Sequence, residues 1–193
     1  FVLTQLPVTL EANVDKTPVA VGSITIVTQL PDAGTLFTLD HPATGRELWV
    51  AQANGARSLR DICPGPRSTA FGPFVTFGNR VYFTANDCRF GQELWSTDGT
   101  TDGTVMVADT VPGPGSGAVG LAATNSSLIY FSPGASPALT VSRGAAPVAS
   151  WPLRTPDGGP LPVDSLRLLN ANEIIFSSGG DFWRSDGGAP VMF

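Results

Sequence analysis

Apolar positions along this chain come in short runs rich in Val, Phe, Tyr and Thr, separated by Gly, Asn and Asp. The clearest stretch opens with FGPFVTF (71–77), turns at Gly78-Asn79 and continues as RVYFTA (80–85). After a loop come QELWST (92–97), the segment DGTTDGT (98–104) and VMVAD (105–109). Runs of this length bounded by turn residues predict strands joined by hairpins. Residues 71–109 therefore predict a four-stranded antiparallel meander.

The pattern repeats. GRELWVAQANG (45–55) aligns with GQELWSTDGT (91–100), placing Trp49 and Trp95 46 positions apart, and DFWRSDGG (181–188) places Trp183 a further 88 on. The skipped copy falls near Leu139, in PALTVSRG, with its Trp lost. A second landmark shares the period: GTLF, RVYF, LIYF and EIIF end at Phe37, Phe83, Phe131 and Phe176, at intervals of 46, 48 and 45. Repeats of about this length built from four strands are the pattern of a β-propeller blade, which buries its faces only against neighbouring blades. The expected fold is all-β: a single four-bladed propeller over 1–193, with repeats at approximately 13–63, 64–111, 112–155 and 156–193. Phe37, Phe83, Phe131 and Phe176 are expected to be equivalent second-strand residues filling the space between blades. Trp49, Trp95 and Trp183 are expected to be their third-strand counterparts. Residues 1–12, FVLTQLPVTL and its neighbours, have strand character and are a candidate closing strand beside Ala189–Phe193. The same chain ends also allow assembly with another chain or with further repeats.

Composition agrees with many short strands and tight turns: 22 Gly, 17 Pro, 42% hydrophobic and only 14% charged residues. Net charge is −5, and the Lys and Arg residues are scattered, so neither nucleic acid nor an anionic membrane surface is an expected partner. No apolar run approaches the length that spans a bilayer. The sequence begins at Phe1 and reads as a mature or excised segment from which any targeting sequence has been removed.

GQELWSTDGTTDGTVMVADTVPG, Gly91 to Gly113, resembles the ELWxxDGT repeat of large exported bacterial proteins, as in myxobacteria and Bacteroidetes. The first unit keeps RELW and DICPG but replaces the DGT by Gln52-Ala53-Asn54-Gly55. The fourth keeps FWRSDGG, and the third almost nothing. The resemblance implies a secreted or cell-surface protein and a propeller-like fold, and brings no catalytic role with it.

Few residues could carry chemistry. Asp98 and Asp102 stand four apart in a Gly-rich loop, too few ligands for calcium, and are expected to cap turn backbone. Glu47 and Glu93 hold the same place in two units. Paired carboxylates are the machinery of glycoside hydrolysis, but positions repeated by blade symmetry serve the blade, and both are expected to bond backbone or a neighbouring strand. His41, the one histidine, lies in a DHPATG loop with no nucleophile elbow or zinc motif around it. No metal site and no cofactor are expected.

Cys63 closes the first unit and Cys88 lies between the second and third strands of the next. In an up-and-down blade those two connections emerge on one face, so a disulfide stapling adjacent blades is expected, with two free buried thiols as the alternative. The same face gathers the least repetitive loops: 40–45, 67–72, 86–91 and 155–163. Irregular loops on a rigid scaffold are where binding resides, and His41, Asp87, Arg89 and Phe90 are the candidate contact residues. The expected function is extracellular binding or adhesion to a protein or glycan. A structural spacer in a surface assembly is the alternative, and a propeller glycosidase a third reading.

Overall fold

A computed structural model of the chain describes residues 22–193, apart from 112, 116, 118, 134, 135, 145, 146 and 156. The expectation for residues 1–12 lies outside the described residues. The described chain is all strand and turn, with no helix, in four four-stranded antiparallel sheets. The first holds β1 (Ile24–Leu30), β2 (Gly34–His41), β3 (Gly45–Gln52) and β4 (Gly55–Arg60). The second holds β5 (Ala70–Phe77), β6 (Arg80–Asn86), β7 (Gln92–Thr97) and β8 (Val105–Ala108). The third holds β9 (Val119–Ala123), β10 (Leu128–Ser132), β11 (Ala138–Ser142) and β12 (Pro147–Pro152). The fourth holds β13 (Ser165–Leu168), β14 (Ile174–Ser178), β15 (Asp181–Ser185) and β16 (Val191–Met192). Each sheet lies inside one predicted repeat, and in each the strands pair in sequence order.

The sheets stack, and each strand's two-residue alternation decides which neighbour a side chain meets. Leu36, Leu48 and Val50 on the forward face of the first sheet share a core with Val81, Phe83 and Trp95 on the back face of the second. Tyr82 and Leu94, forward in the second, pack with Leu121, Leu128 and Tyr130 of the third. Ile129, Phe131, Leu139 and Val141, forward in the third, pack with Leu166, Ile174 and Phe176 of the fourth, where Trp183 stacks on Phe176. No described core cluster joins the fourth sheet to the first.

This register corrects one landmark. Phe37, Phe83 and Phe176 lie directly opposite Trp49, Trp95 and Trp183 on back faces. In the third sheet that place belongs to Tyr130, which lies opposite Thr140. Phe131 is one residue further on and points the other way, into the fourth sheet. With Tyr130 the intervals become 46, 47 and 46. A strand slipped by one residue exchanges its two faces, so the correction reverses the neighbour that Phe131 meets while leaving it buried.

The DGT segment closes the packing on the face opposite the cysteines. Arg57 donates to Gly99 O (2.9 Å) and Thr101 Oγ1 (3.2 Å), and Arg60 donates to Thr104 O (3.0 Å), so β4 of the first sheet is tied to the β7–β8 turn of the second.

Candidate binding face

The connections between sheets and the loops between second and third strands emerge together. The 61–69 connection lies against the start of β3: Thr69 N donates to Arg46 O (3.0 Å) and Arg46 N to Ser68 Oγ (3.1 Å). Gly45 sits there at φ +67 with the Arg67 carbonyl where a β-carbon would go. The second and third units repeat the arrangement, with Gly117 N donating to Gln92 O (2.8 Å) and Leu153 N to Pro137 O (2.8 Å).

Glu47 and Glu93 anchor this face from below. Glu47 is buried, and its carboxylate accepts from Ile62 N (2.9 Å), Cys63 N (3.3 Å) and Thr69 Oγ1 (2.6 Å). Glu93, also buried, accepts from Thr110 N (2.8 Å) and Thr110 Oγ1 (3.2 Å) at the next connection. Burial disfavours the charged form. It pushes the Glu47 carboxyl up to about 7, outweighing the three donors, and raises Glu93 for the same reason. A raised carboxyl is the property of a general acid, yet both of these are held by the backbone they brace.

Cys63 and Cys88 are joined by a disulfide, with Cα atoms 5.2 Å apart. Cys63 is buried and Cys88 exposed, and Cys88 is the one described non-glycine residue with positive φ, at 66°. Two Asx turns hold its loop: Asn86 Oδ1 accepts from Cys88 N (2.7 Å), and Asp87 Oδ1 from Arg89 N (2.9 Å) and Phe90 N (2.6 Å). The Arg89 guanidinium lies 4.7 Å from the centre of the Phe90 ring.

The four candidate contact residues thus divide by task. Asp87 builds its loop. His41 accepts from Ala43 N (3.2 Å) through Nδ1 and its ring lies 6.4 Å from that of Trp49, so it shapes its own turn. Arg89 is exposed and Phe90 half-buried beside it, a cation over an aromatic face at the disulfide. Asp40 and Arg46 add an ion pair (2.9 Å) that lowers the Asp40 carboxyl. On the opposite face Asp98 accepts from Thr100 N (2.9 Å) and Thr100 Oγ1 (2.7 Å) and faces Arg80 (3.4 Å), contacts that hold its carboxyl low and make it a turn residue as expected.

One recess carries no mark in the sequence. A cleft of about 570 Å³ runs along the innermost strands, lined by Val75, Leu121, Leu166 and Arg167 with Asp164 at its side. Both polar groups are engaged locally: Arg167 donates to Leu166 O (2.9 Å) and Asp164 accepts from Gly179 N (3.1 Å). Strands of three sheets, far apart in sequence, build it, and no motif marks them.

No protein-family model and no curated protein matches this chain. Among solved structures it superposes on a prolyl endopeptidase (TM-score 0.55, 11% identity, 88% of this chain and 26% of that one). A puromycin hydrolase matches similarly (0.55, 14%, 88% and 28%), as does prolyl oligopeptidase B from Galerina marginata (0.51, 14%, 88% and 26%). The chain spans about a quarter of the length of these proteins. The likeness is to propeller domains of prolyl peptidases, and at such identity it concerns the fold alone: the chain has a β-propeller-like fold.

Proposed function

We propose that this chain is an extracytoplasmic binding module of the ELWxxDGT-repeat type, its four sheets serving as consecutive propeller blades that present the disulfide-bearing face to a protein or glycan. The observation that carries the reading is the construction of that face. A disulfide, two buried carboxylates and paired Asx turns immobilise its loops, while the exposed Arg89 carries its guanidinium over the half-buried Phe90 ring on the stapled loop. A fixed loop bearing a cation over an aromatic ring loses little entropy when it binds. A disulfide also fits an oxidising compartment. Engagement of Glu47 and Glu93 by connecting backbone supports binding over glycoside hydrolysis.

The test is a surface-glycan array probed with the full chain, the Arg89→Ala/Phe90→Ala variant and, as an opposite-face control, Asp102→Ala. Binding that survives in the control and falls at least tenfold in the double variant supports the proposal. Binding untouched by the double variant, or lost equally in the control, overturns it. An array that stays blank moves the same comparison to immobilised cell-envelope proteins.

A further inference from the structure

Thr38 and Thr84 hold the same register place on the second strands of the first two sheets, one opposite Leu48 and the other opposite Leu94, and both are buried. Thr84 Oγ1 accepts from Gln92 Nε2 (2.9 Å). In the first sheet the place of Gln92 belongs to Arg46, which instead clasps Asp40 through Nε (2.9 Å) and Nη2 (3.0 Å). Thr38, only 5% exposed, is left with no hydrogen-bond partner among the described residues. A buried hydroxyl normally has a partner and costs stability without one. This one borders a cleft of about 530 Å³ between β1 and β5, a volume within the range of about 300–1,000 Å³ that small-molecule sites take. Both inner strands are bulged there, β1 between Ile26 and Thr28 and β5 between Phe71 and Phe74, and bulges gather beside sites, where they re-aim side chains. Thr69 and Arg46, joined through backbone in the disulfide-bearing face, also line the cleft, so cleft and face are continuous. The half-buried Phe71 and Phe74 form an aromatic wall, with ring centres 5.5 Å apart, and Phe74 stacks on the buried Phe83 at 5.1 Å. Arg46 is the one charged residue among the described lining, and Asp40 neutralises it.

We propose that this cleft is a subsite for a short neutral saccharide, whose hydroxyls bond Thr38 Oγ1 and Arg46 Nη1 and whose C–H face lies on the Phe71 ring. The inference rests on the glycan arm of the proposed function and names where that glycan is held. Sugar hydroxyls donate and accept together, which suits a threonine hydroxyl that does both and a guanidinium that only donates. An uncharged ligand suits a lining whose single cation is already paired. Nη1 is the nitrogen of Arg46 that Asp40 leaves free.

Isothermal titration calorimetry of the full chain with short neutral oligosaccharides of glucose, galactose, mannose and xylose is the test, with thermal melts to confirm folding. Thr38→Val keeps the shape and removes the hydroxyl, and losing a partnerless group leaves the fold no less stable. Thr38→Ser keeps the hydroxyl, and Ala70→Trp, at an exposed place in the lining, fills the cleft. Wild type and Thr38→Ser should bind at least one of these sugars, Thr38→Val should bind it about three- to tenfold more weakly, as the loss of one hydrogen bond requires, and Ala70→Trp should not bind it. A wild type that binds none of them, binding unchanged in Thr38→Val or Ala70→Trp, or a loss in Thr38→Ser as large as in Thr38→Val would each overturn the proposal. Should Ala70→Trp misfold, the comparison of Val with Ser at position 38 decides. The Arg89→Ala/Phe90→Ala variant is titrated beside them. Binding that needs Arg89 and Phe90 but not Thr38 removes the subsite and keeps the loop-face reading, and binding that needs Thr38 alone does the reverse.

Discussion

Gly99 of the second sheet meets Ala33 of the first so closely that a β-carbon on Gly99 would lie 2.3 Å from the Ala33 methyl. The fourth sheet repeats the relationship on the third, where a β-carbon on Gly187 would lie 3.3 Å from Ser127 Oγ. The DG step in these turns is therefore a contact between sheets as well as a turn. Gly99 adopts φ +87, Gly187 +103 and Gly78 +61, but only Gly78 faces open space. Gly78→Ala should cost about 1 kcal/mol for the left-handed backbone. Gly99→Ala adds overpacking against Ala33 and should cost about 2–4 kcal/mol. Urea denaturation of the two variants checks the difference.

Burial by the following sheet separates two phenylalanines that look alike in sequence. Phe83 is fully buried between the first and second sheets, so Phe83→Ala should cost about 3–5 kcal/mol. Phe182 is half open, and Phe182→Ala should change the stability of the monomer by about 0.5 kcal/mol or less. Equal losses in thermal or chemical denaturation would contradict the assigned faces.

Glu47 makes stability depend on pH in an unusual direction. Its folded value of about 7 stands above the ordinary 4.5, so the folded state holds a proton that the unfolded state has released across that interval. The stabilisation is complete below pH 4.5 and is lost as pH rises through 7, with a range of roughly 3 kcal/mol from the size of the shift. Glu93 acts in the same sense. Glu47→Gln, which keeps the shape without the charge, should flatten the profile between those values in urea melts run at a series of pH values.

Removing the staple should be felt in stability and at the loop face together. Cys63→Ala/Cys88→Ala opens a loop with a sequence separation of 25 and should cost about 3 kcal/mol in the chain-entropy model. It also releases Cys88 from positive φ, so amide exchange across 86–91 should quicken more than in β6 or β7. Hydrogen exchange by mass spectrometry reads both effects.

Much of this was legible in the sequence. The strands predicted for 71–109 match β5 to β8 within a residue, because Gly, Asn and Asp mark every turn. The disulfide followed from topology, since two connections of an up-and-down sheet share a face whatever their sequence. Phe131 lies on the second strand and fills the space between sheets as expected, but its equivalence with Phe37, Phe83 and Phe176 fails because β10 is buried on both sides: LIYF offers no polar residue to set the alternation, and the neighbouring Tyr130 competes for the same role. The tasks of Asp87 and His41 were hidden for a different reason, as a loop carboxylate or imidazole looks the same in sequence whether it faces a ligand or its own backbone. The recess beside Asp164 depends on strands of three sheets meeting, which no local pattern reports.

The loop face rests on the stacking of these sheets and on the side each residue presents. Methyl and aromatic nuclear Overhauser contacts read that stacking directly. The structure predicts contacts between the Phe83 ring and Leu36 or Leu48, between Tyr130 and Leu94, and between Phe131 and Ile174. Contacts from Phe131 to Leu94 in place of Tyr130, or none between successive sheets, would contradict it.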